Sequence, residues 1–105
     1  MNIEKLFDLS DKIILLTGAA GYLGSQYVDG LCQAGANVVL CDINYQGCKN
    51  IEKKMKLKYN ADVLTIKLDL SDFKSIKNTV SKIMKKYSKI DVLINNAAYQ
   101  GNKKL

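Results

Sequence analysis

The chain has 105 residues with 16 basic against 10 acidic side chains, a formal net charge of +6, and contains no His, Pro or Trp; that length limits it to one domain or part of one. Apolar residues at 48% and charged residues at 25% are ordinary globular proportions, which excludes a disordered tail, a collagen-like repeat and a low-complexity segment. The lack of His excludes His-dependent zinc sites and triads, and Cys32, Cys41 and Cys48, without a C-x-x-C spacing, read as small core hydrophobes in a reducing compartment rather than as metal ligands.

In chain order, Lys12–Thr17 is a short β-branched run ending at Gly18, the pattern of a strand buried on both faces. A glycine-containing turn follows. From Tyr22 to Ala34, the residues Leu23, Tyr27, Leu31 and Ala34 recur at helical spacing, and Gly35 supplies the stop. Asn37–Asp42 repeats the buried-strand pattern, and residues from about Gln46 to Tyr59 read as a Lys-rich amphipathic helix with Ile51, Met55 and Leu57 as its inward positions. A third strand is expected over Asp62–Leu68. Ser71 then stands where an N-cap belongs and Asp72 in the first turn of a helix whose stripe is Phe73, Ile76, Val80, Ile83, Met84 and Tyr87. Asp91–Asn95 makes a fourth buried strand.

Strands and helices alternating with short connections predict an α/β architecture, a doubly wound parallel sheet of about four strands and three helices. The rhythm alone is shared by flavodoxin-like regulators and methyltransferases, so it does not give function. The Lys clusters at 53–58 and 82–89 read as solvated helix faces: every cation is Lys, and no basic stripe is interleaved with aromatics, so a nucleic-acid partner is not expected. No apolar stretch approaches the ~20 residues that span a bilayer, and the first residues lack the pattern of a signal peptide. A cytoplasmic location, with no membrane contact, is the expectation.

The chemistry-bearing segment is Thr17-Gly-Ala-Ala-Gly-Tyr-Leu-Gly24, set between a strand and a helix. Gly18 permits a tight turn, Gly21 lets backbone approach a pyrophosphate, Gly24 lets the helix press on the sheet, and the helix N-terminus offers free N–H groups to an anion. Glycines also simply make turns. No Lys follows them, so a Walker loop is excluded. Asp42 ends the second strand, where a carboxylate can accept hydrogen bonds from both hydroxyls of an adenosine ribose; the same residue can equally cap a helix or close a turn.

Together with Asp42, Leu68-Asp69-Leu70, Asp91-Val-Leu-Ile-Asn-Asn-Ala-Ala98 and the lead-in Leu6-Phe-Asp-Leu-Ser10, this loop resembles the N-terminal, Rossmann-like half of a short-chain dehydrogenase/reductase. The resemblance spans essentially the whole chain, and Asn-Asn-Ala is its most distinctive piece. It implies that Gly18, Tyr22, Leu23 and Gly24, with Gly21, surround a pyrophosphate, that Asp42 and Ile43 meet the adenosine ribose, that Asp69 and Leu70 meet the adenine edge, and that Asn95 and Ala97 line the far side of the cofactor. Amides such as Asn95 and Asn96 also cap the element that follows a strand.

Two features depart from the family pattern. The glycines are spaced T-G-x-x-G-x-x-G rather than T-G-x-x-x-G-x-G, a spacing more typical of the epimerase-like subgroup, while Asn-Asn-Ala-Ala belongs to the compact one. The family's catalytic Ser and Tyr-x-x-x-Lys, where Lys lowers the Tyr pKa for acid–base work, are expected beyond these residues. Tyr45 and Lys49 satisfy the bare spacing but follow the second strand, beside the adenosine end, and read as a chance match.

The expected function is therefore the NAD-binding portion of an oxidoreductase that transfers hydride between NAD(H) and an alcohol or carbonyl substrate, with no catalytic residue and no metal site in this chain. NAD is expected over NADP because Asp42 would repel a 2′-phosphate and neither Ala19, Ala20 nor Ile43 offers a cation. A non-catalytic dinucleotide-binding or sensing module is the alternative; a Rossmann-like methyltransferase would show an acidic residue where Thr17 stands. The complete protein is expected to be a homo-oligomer, and the chain by itself poorly soluble or self-associating through the edge of its fourth strand.

Overall fold

The computed structural model describes residues 7–97. Four strands, β1 (Ile13–Thr17), β2 (Asn37–Asp42), β3 (Val63–Lys67) and β4 (Val92–Ile94), alternate with three helices, α1 (Tyr22–Gln33), α2 (Tyr45–Tyr59) and α3 (Phe73–Tyr87). All strand pairs are parallel and the sheet order is β3-β2-β1-β4. The order reverses between β1 and β4, so the connection that leaves β1 and the one that leaves β4 face each other across a crevice at the carboxyl edge.

The strands' period of two sorts the core into two layers. Ile14, Leu16, Val38, Leu40 and Val63 pack with Val28 and Cys32 of α1 and Cys48 and Met55 of α2. Ile13, Leu15, Val39, Cys41 and Ile66 face the other way, against Ile83 of α3 with Ile76 and Tyr87 beside it. Helices therefore cover both faces, which is why β1 and β2 read as unbroken apolar runs. The three cysteines are buried and free, and burial pushes the thiols of Cys32 up to about 11 and those of Cys41 and Cys48 up to about 12. Among the described residues no helix is long and apolar enough to cross a membrane.

Several sequence expectations shift in detail. The buried residues of α1 are Gly24, Val28 and Cys32, one position on from the Leu23-Tyr27 stripe, because α1 makes its closest approach to the β1 turn through Gly24. Leu57 is 84% exposed; the inward line of α2 runs through Cys48, Glu52 and Met55, with Ile51 half-buried. Glu52 is tolerated there because Thr65 donates to its carboxylate at 2.7 Å and Lys49 and Lys56 pair with it. The N-cap of α3 is Asp72, which accepts from Lys74 N at 3.0 Å, and not Ser71, whose amide and hydroxyl are spent on Asp69. On α3, Phe73, Val80 and Met84 are exposed and only Thr79 and Ile83 are fully buried. The fourth strand is not buried: Val92 and Leu93 are 41% and 60% exposed, since β4 is the sheet's edge among the described residues.

Candidate functional site

The turn leaving β1 is fixed by backbone. Gly18 has φ of 66°, a left-handed conformation that L side chains rarely adopt, and a Cβ there would sit 2.8 Å from the Ala97 Cα. Gly21 N donates to Gly18 O at 3.2 Å and Ala19 N to Cys41 O at 3.3 Å, which ties the turn to the end of β2. Gly24, the third residue of α1, would place a Cβ 2.2 Å from the same Gly18 oxygen, so glycine is what lets the helix start directly on the turn. At Gly21 a Cβ would meet only that oxygen, at 3.4 Å. Its α-carbon otherwise faces open space, so a ligand can approach the backbone.

Asp42 uses both carboxylate oxygens on backbone: Oδ2 accepts from Ala20 N at 3.0 Å and Oδ1 from Asn44 N at 2.9 Å. It thus clamps the β1 turn to the β2 turn, and each oxygen keeps a second lone-pair direction for another donor. Asn44 in turn caps α2 by accepting from Gly47 N at 3.0 Å. After β3, Asp69 accepts from both the amide and the hydroxyl of Ser71, and these bonds hold its carboxyl below the ordinary 3.8.

The opposite wall is pinned by Thr17. Its Oγ1 accepts from Asn96 N and Ala97 N, each at 3.0 Å, and donates to Asn95 Oδ1 at 3.2 Å. Asn96 Nδ2 donates to Gly18 O at 3.1 Å. The two amides after β4 therefore do turn chemistry, one through its Nδ2 and the other through its Oδ1.

Between these walls lies a cleft of about 540 Å³ at the carboxyl ends of all four strands. Of the residues singled out in the sequence, Gly18, Gly21, Tyr22, Leu23, Asp42, Ile43, Asp69, Leu70 and Ala97 line it. Gly24 lies beneath the turn, and Asn95 lines an adjoining groove of about 480 Å³ with Tyr27, Leu31 and Ile94, which shares Asn96 with the cleft. Thr17, Cys41, Leu68, Ser71 and Asn96 also line the cleft and were not singled out as site residues. Thr17, Cys41 and Leu68 share the strand phase that faces α3, whereas Asp42 continues the phase of Leu40; the cleft straddles the sheet edge, a signal available from period two once the strand ends are fixed. Tyr45 and Lys49 do not line it, and Lys49 is paired with Glu52. Leu6 and Ala98, the outer ends of the motif set, lie outside the described residues. Among the described residues no group of three His, Cys, Asp or Glu side chains could hold a metal ion.

The family profile described as short chain dehydrogenase matches residues 12–105. The chain belongs to the short chain dehydrogenase family. It is 37% identical over 90 residues to the NADP-dependent 3-hydroxy acid dehydrogenase of Schizosaccharomyces pombe, covering 85% of this chain and 35% of that protein. It is 34% identical over 95 residues to the NAD-dependent glycerol dehydrogenase of Listeria innocua, covering 90% of this chain and 35% of that one. The chain thus spans about a third of the length of these curated relatives. Among solved structures it is similar to an NAD+-bound xylitol dehydrogenase, with TM-score 0.82 and 28% identity over 89% of this chain and 35% of that one. A glucose/ribitol dehydrogenase from Brucella melitensis is similar too, with TM-score 0.79 and 28% identity over 90% of this chain and 40% of that one. The parallel α/β sheet is therefore the Rossmann-like fold of the family.

Proposed function

We propose that the cleft binds a nicotinamide adenine dinucleotide, NAD in preference to NADP, and that the chain is the cofactor-holding part of an oxidoreductase acting on an alcohol or carbonyl compound. The observation that carries this reading is Asp42, fixed by Ala20 N and Asn44 N at the mouth of the cleft with one lone-pair direction per oxygen still free. Two adjacent ribose hydroxyls are the donors that such a carboxylate suits. The diphosphate lies along Gly21, Tyr22 and Leu23 at the start of α1, where backbone N–H groups and the helix dipole favour an anion. Ile43, Asp69 and Leu70 flank the adenine side, and Asn96 and Ala97 border the other end.

The bound dinucleotide supplies the hydride acceptor or donor. The part assigned to the described residues is to hold and orient it. Proton transfer is assigned to a Ser and a Tyr-x-x-x-Lys pair elsewhere in the complete protein. The preference for NAD rests on charge: among the described residues no cation lines the cleft, and a 2′-phosphate beside Asp42 would bring two anions together. Calorimetric titration tests it. NAD should bind at least ~10-fold tighter than NADP, a difference of about 1.4 kcal/mol, and Asp42→Ala should narrow that ratio, which cancels any general loss of folded protein. Equal or tighter binding of NADP by the unaltered chain overturns the preference.

A further inference from the structure

Tyr22 is the first residue of α1, it lines the cleft, and it is 81% exposed, second only to Leu57 among the large apolar and aromatic residues described. It also occupies the place that holds a glycine in the T-G-x-x-x-G-x-G spacing of the compact subgroup, so this loop carries a phenol where that pattern carries a hydrogen atom. An exposed aromatic ring has no packing reason to be there. The Cα–Cβ bond of a helical residue leans toward the helix N-terminus, which directs the ring of a first-turn residue back over the Gly18–Gly21 turn and not along the helix. The backbone beneath it is held: Ser25 N donates to Gly21 O at 2.9 Å and Ser25 Oγ to Tyr22 O at 2.8 Å. Position is therefore fixed by the first turn while the hydroxyl is left to meet a ligand.

Resting on the dinucleotide reading above, we propose that the Tyr22 hydroxyl donates a hydrogen bond to an oxygen of the diphosphate bridge, adding a side-chain donor to the backbone N–H groups of the turn. A phenol O–H suits a phosphate oxygen because the acceptor is charged, and such bonds are stronger than neutral ones. Among the described residues no lysine lines this cleft, so a neutral donor supplies contact to the anion without placing a cation beside it.

Tyr22→Phe removes the hydroxyl and keeps the ring, and at an exposed position it leaves the fold undisturbed, which a circular dichroism spectrum checks. Binding of ADP-ribose, which contains the diphosphate, and of adenosine, which does not, is measured for both proteins by calorimetry or NMR titration. Tyr22→Phe should weaken ADP-ribose by ~10-fold, the usual scale of a hydrogen bond to a charged group, and leave adenosine unchanged. Equal affinity of the two proteins for ADP-ribose overturns the proposal while the dinucleotide reading stands. A parallel loss for adenosine overturns it too, because the hydroxyl would then be acting on the cleft as a whole. An unaltered chain that binds no ADP-ribose overturns both.

Discussion

Two glycines of α1 make a matched pair that isolates the close contact between helix and turn. A Cβ at position 24 would lie 2.2 Å from the Gly18 carbonyl oxygen, 1.2 Å short of an ordinary contact at 3.4 Å, whereas a Cβ at Gly30 meets nothing within 4 Å. The oxygen cannot simply swing aside, because it accepts from Gly21 N at 3.2 Å and from Asn96 Nδ2 at 3.1 Å. Gly24→Ala must therefore lift α1 from the turn or break those bonds. Overpacking costs ~1–3 kcal/mol, two weakened hydrogen bonds add ~0.5–1.5 kcal/mol each, and the better helix propensity of Ala returns up to ~1 kcal/mol. The net expectation is a loss of about 3 kcal/mol, which for a domain of this size lowers the melting temperature by roughly 12–24 °C. Gly30→Ala keeps only the propensity gain and should stabilise by up to ~1 kcal/mol. Thermal and urea unfolding followed by circular dichroism measure both variants. If Gly24→Ala melts with Gly30→Ala, at or above the parent, the turn is free to move and the contact has no structural role.

Thr17→Val keeps the shape of a side chain that is 4% exposed but leaves Asn96 N and Ala97 N without their shared acceptor; it should cost ~2–3 kcal/mol, read by urea unfolding, and speed amide exchange selectively at residues 96 and 97, so unchanged exchange there would refute the clamp. For Glu52, burial alone would raise the carboxyl pKa, but the bonds from Thr65, Lys56 and Lys49 outweigh it and hold the folded value below 4.5. A depressed carboxyl stabilises the fold above its unfolded pKa and loses that contribution as pH falls through the folded one; stability should therefore drop below about pH 4.5 in the parent, with a shallower drop in Glu52→Gln, and parallel profiles in urea titrations would refute the assignment.

How far the sequence could be read depended on what each pattern physically encodes. β1 and β2 are legible because two covered faces demand unbroken apolar strands, and the strand–turn–helix order by itself puts Gly18, Gly21 and Asp42 at one edge. Helix faces were less legible. Leu23 and Tyr27 obey helical periodicity as well as Val28 and Cys32 do, and only the close approach at Gly24 decides which set turns inward. Leu57, Phe73 and Met84 are apolar yet exposed, and nothing in a period of 3.6 distinguishes a residue covered by this sheet from one on an open face. Ser71 and Asp72 are both good caps; Asp69, by taking both Ser71 donors, leaves the cap to Asp72. Thr17 opens the glycine loop but is not among the expected site residues, because it ends a strand in the phase of the core, although its hydroxyl organises the far wall.

That far wall is built by chain 78 to 80 residues away from Thr17 along the sequence. The Asp42 side, by contrast, joins Ala20 and Asn44 over separations of 22 and 2 residues. Loop-closure entropy penalises the longer span, and β4, which completes it, is a three-residue strand at the sheet's edge among the described residues. The two sides of the cleft therefore differ in what they require: the Asp42 side can form as soon as β1 and β2 pair, and the Asn96–Ala97 side must wait for β4 to dock. Among the described residues β4 pairs with β1 over three positions and β2 pairs with β1 over five, so the Asn96–Ala97 end of the cleft rests on the shorter pairing while the Asp42 end rests on the longer one.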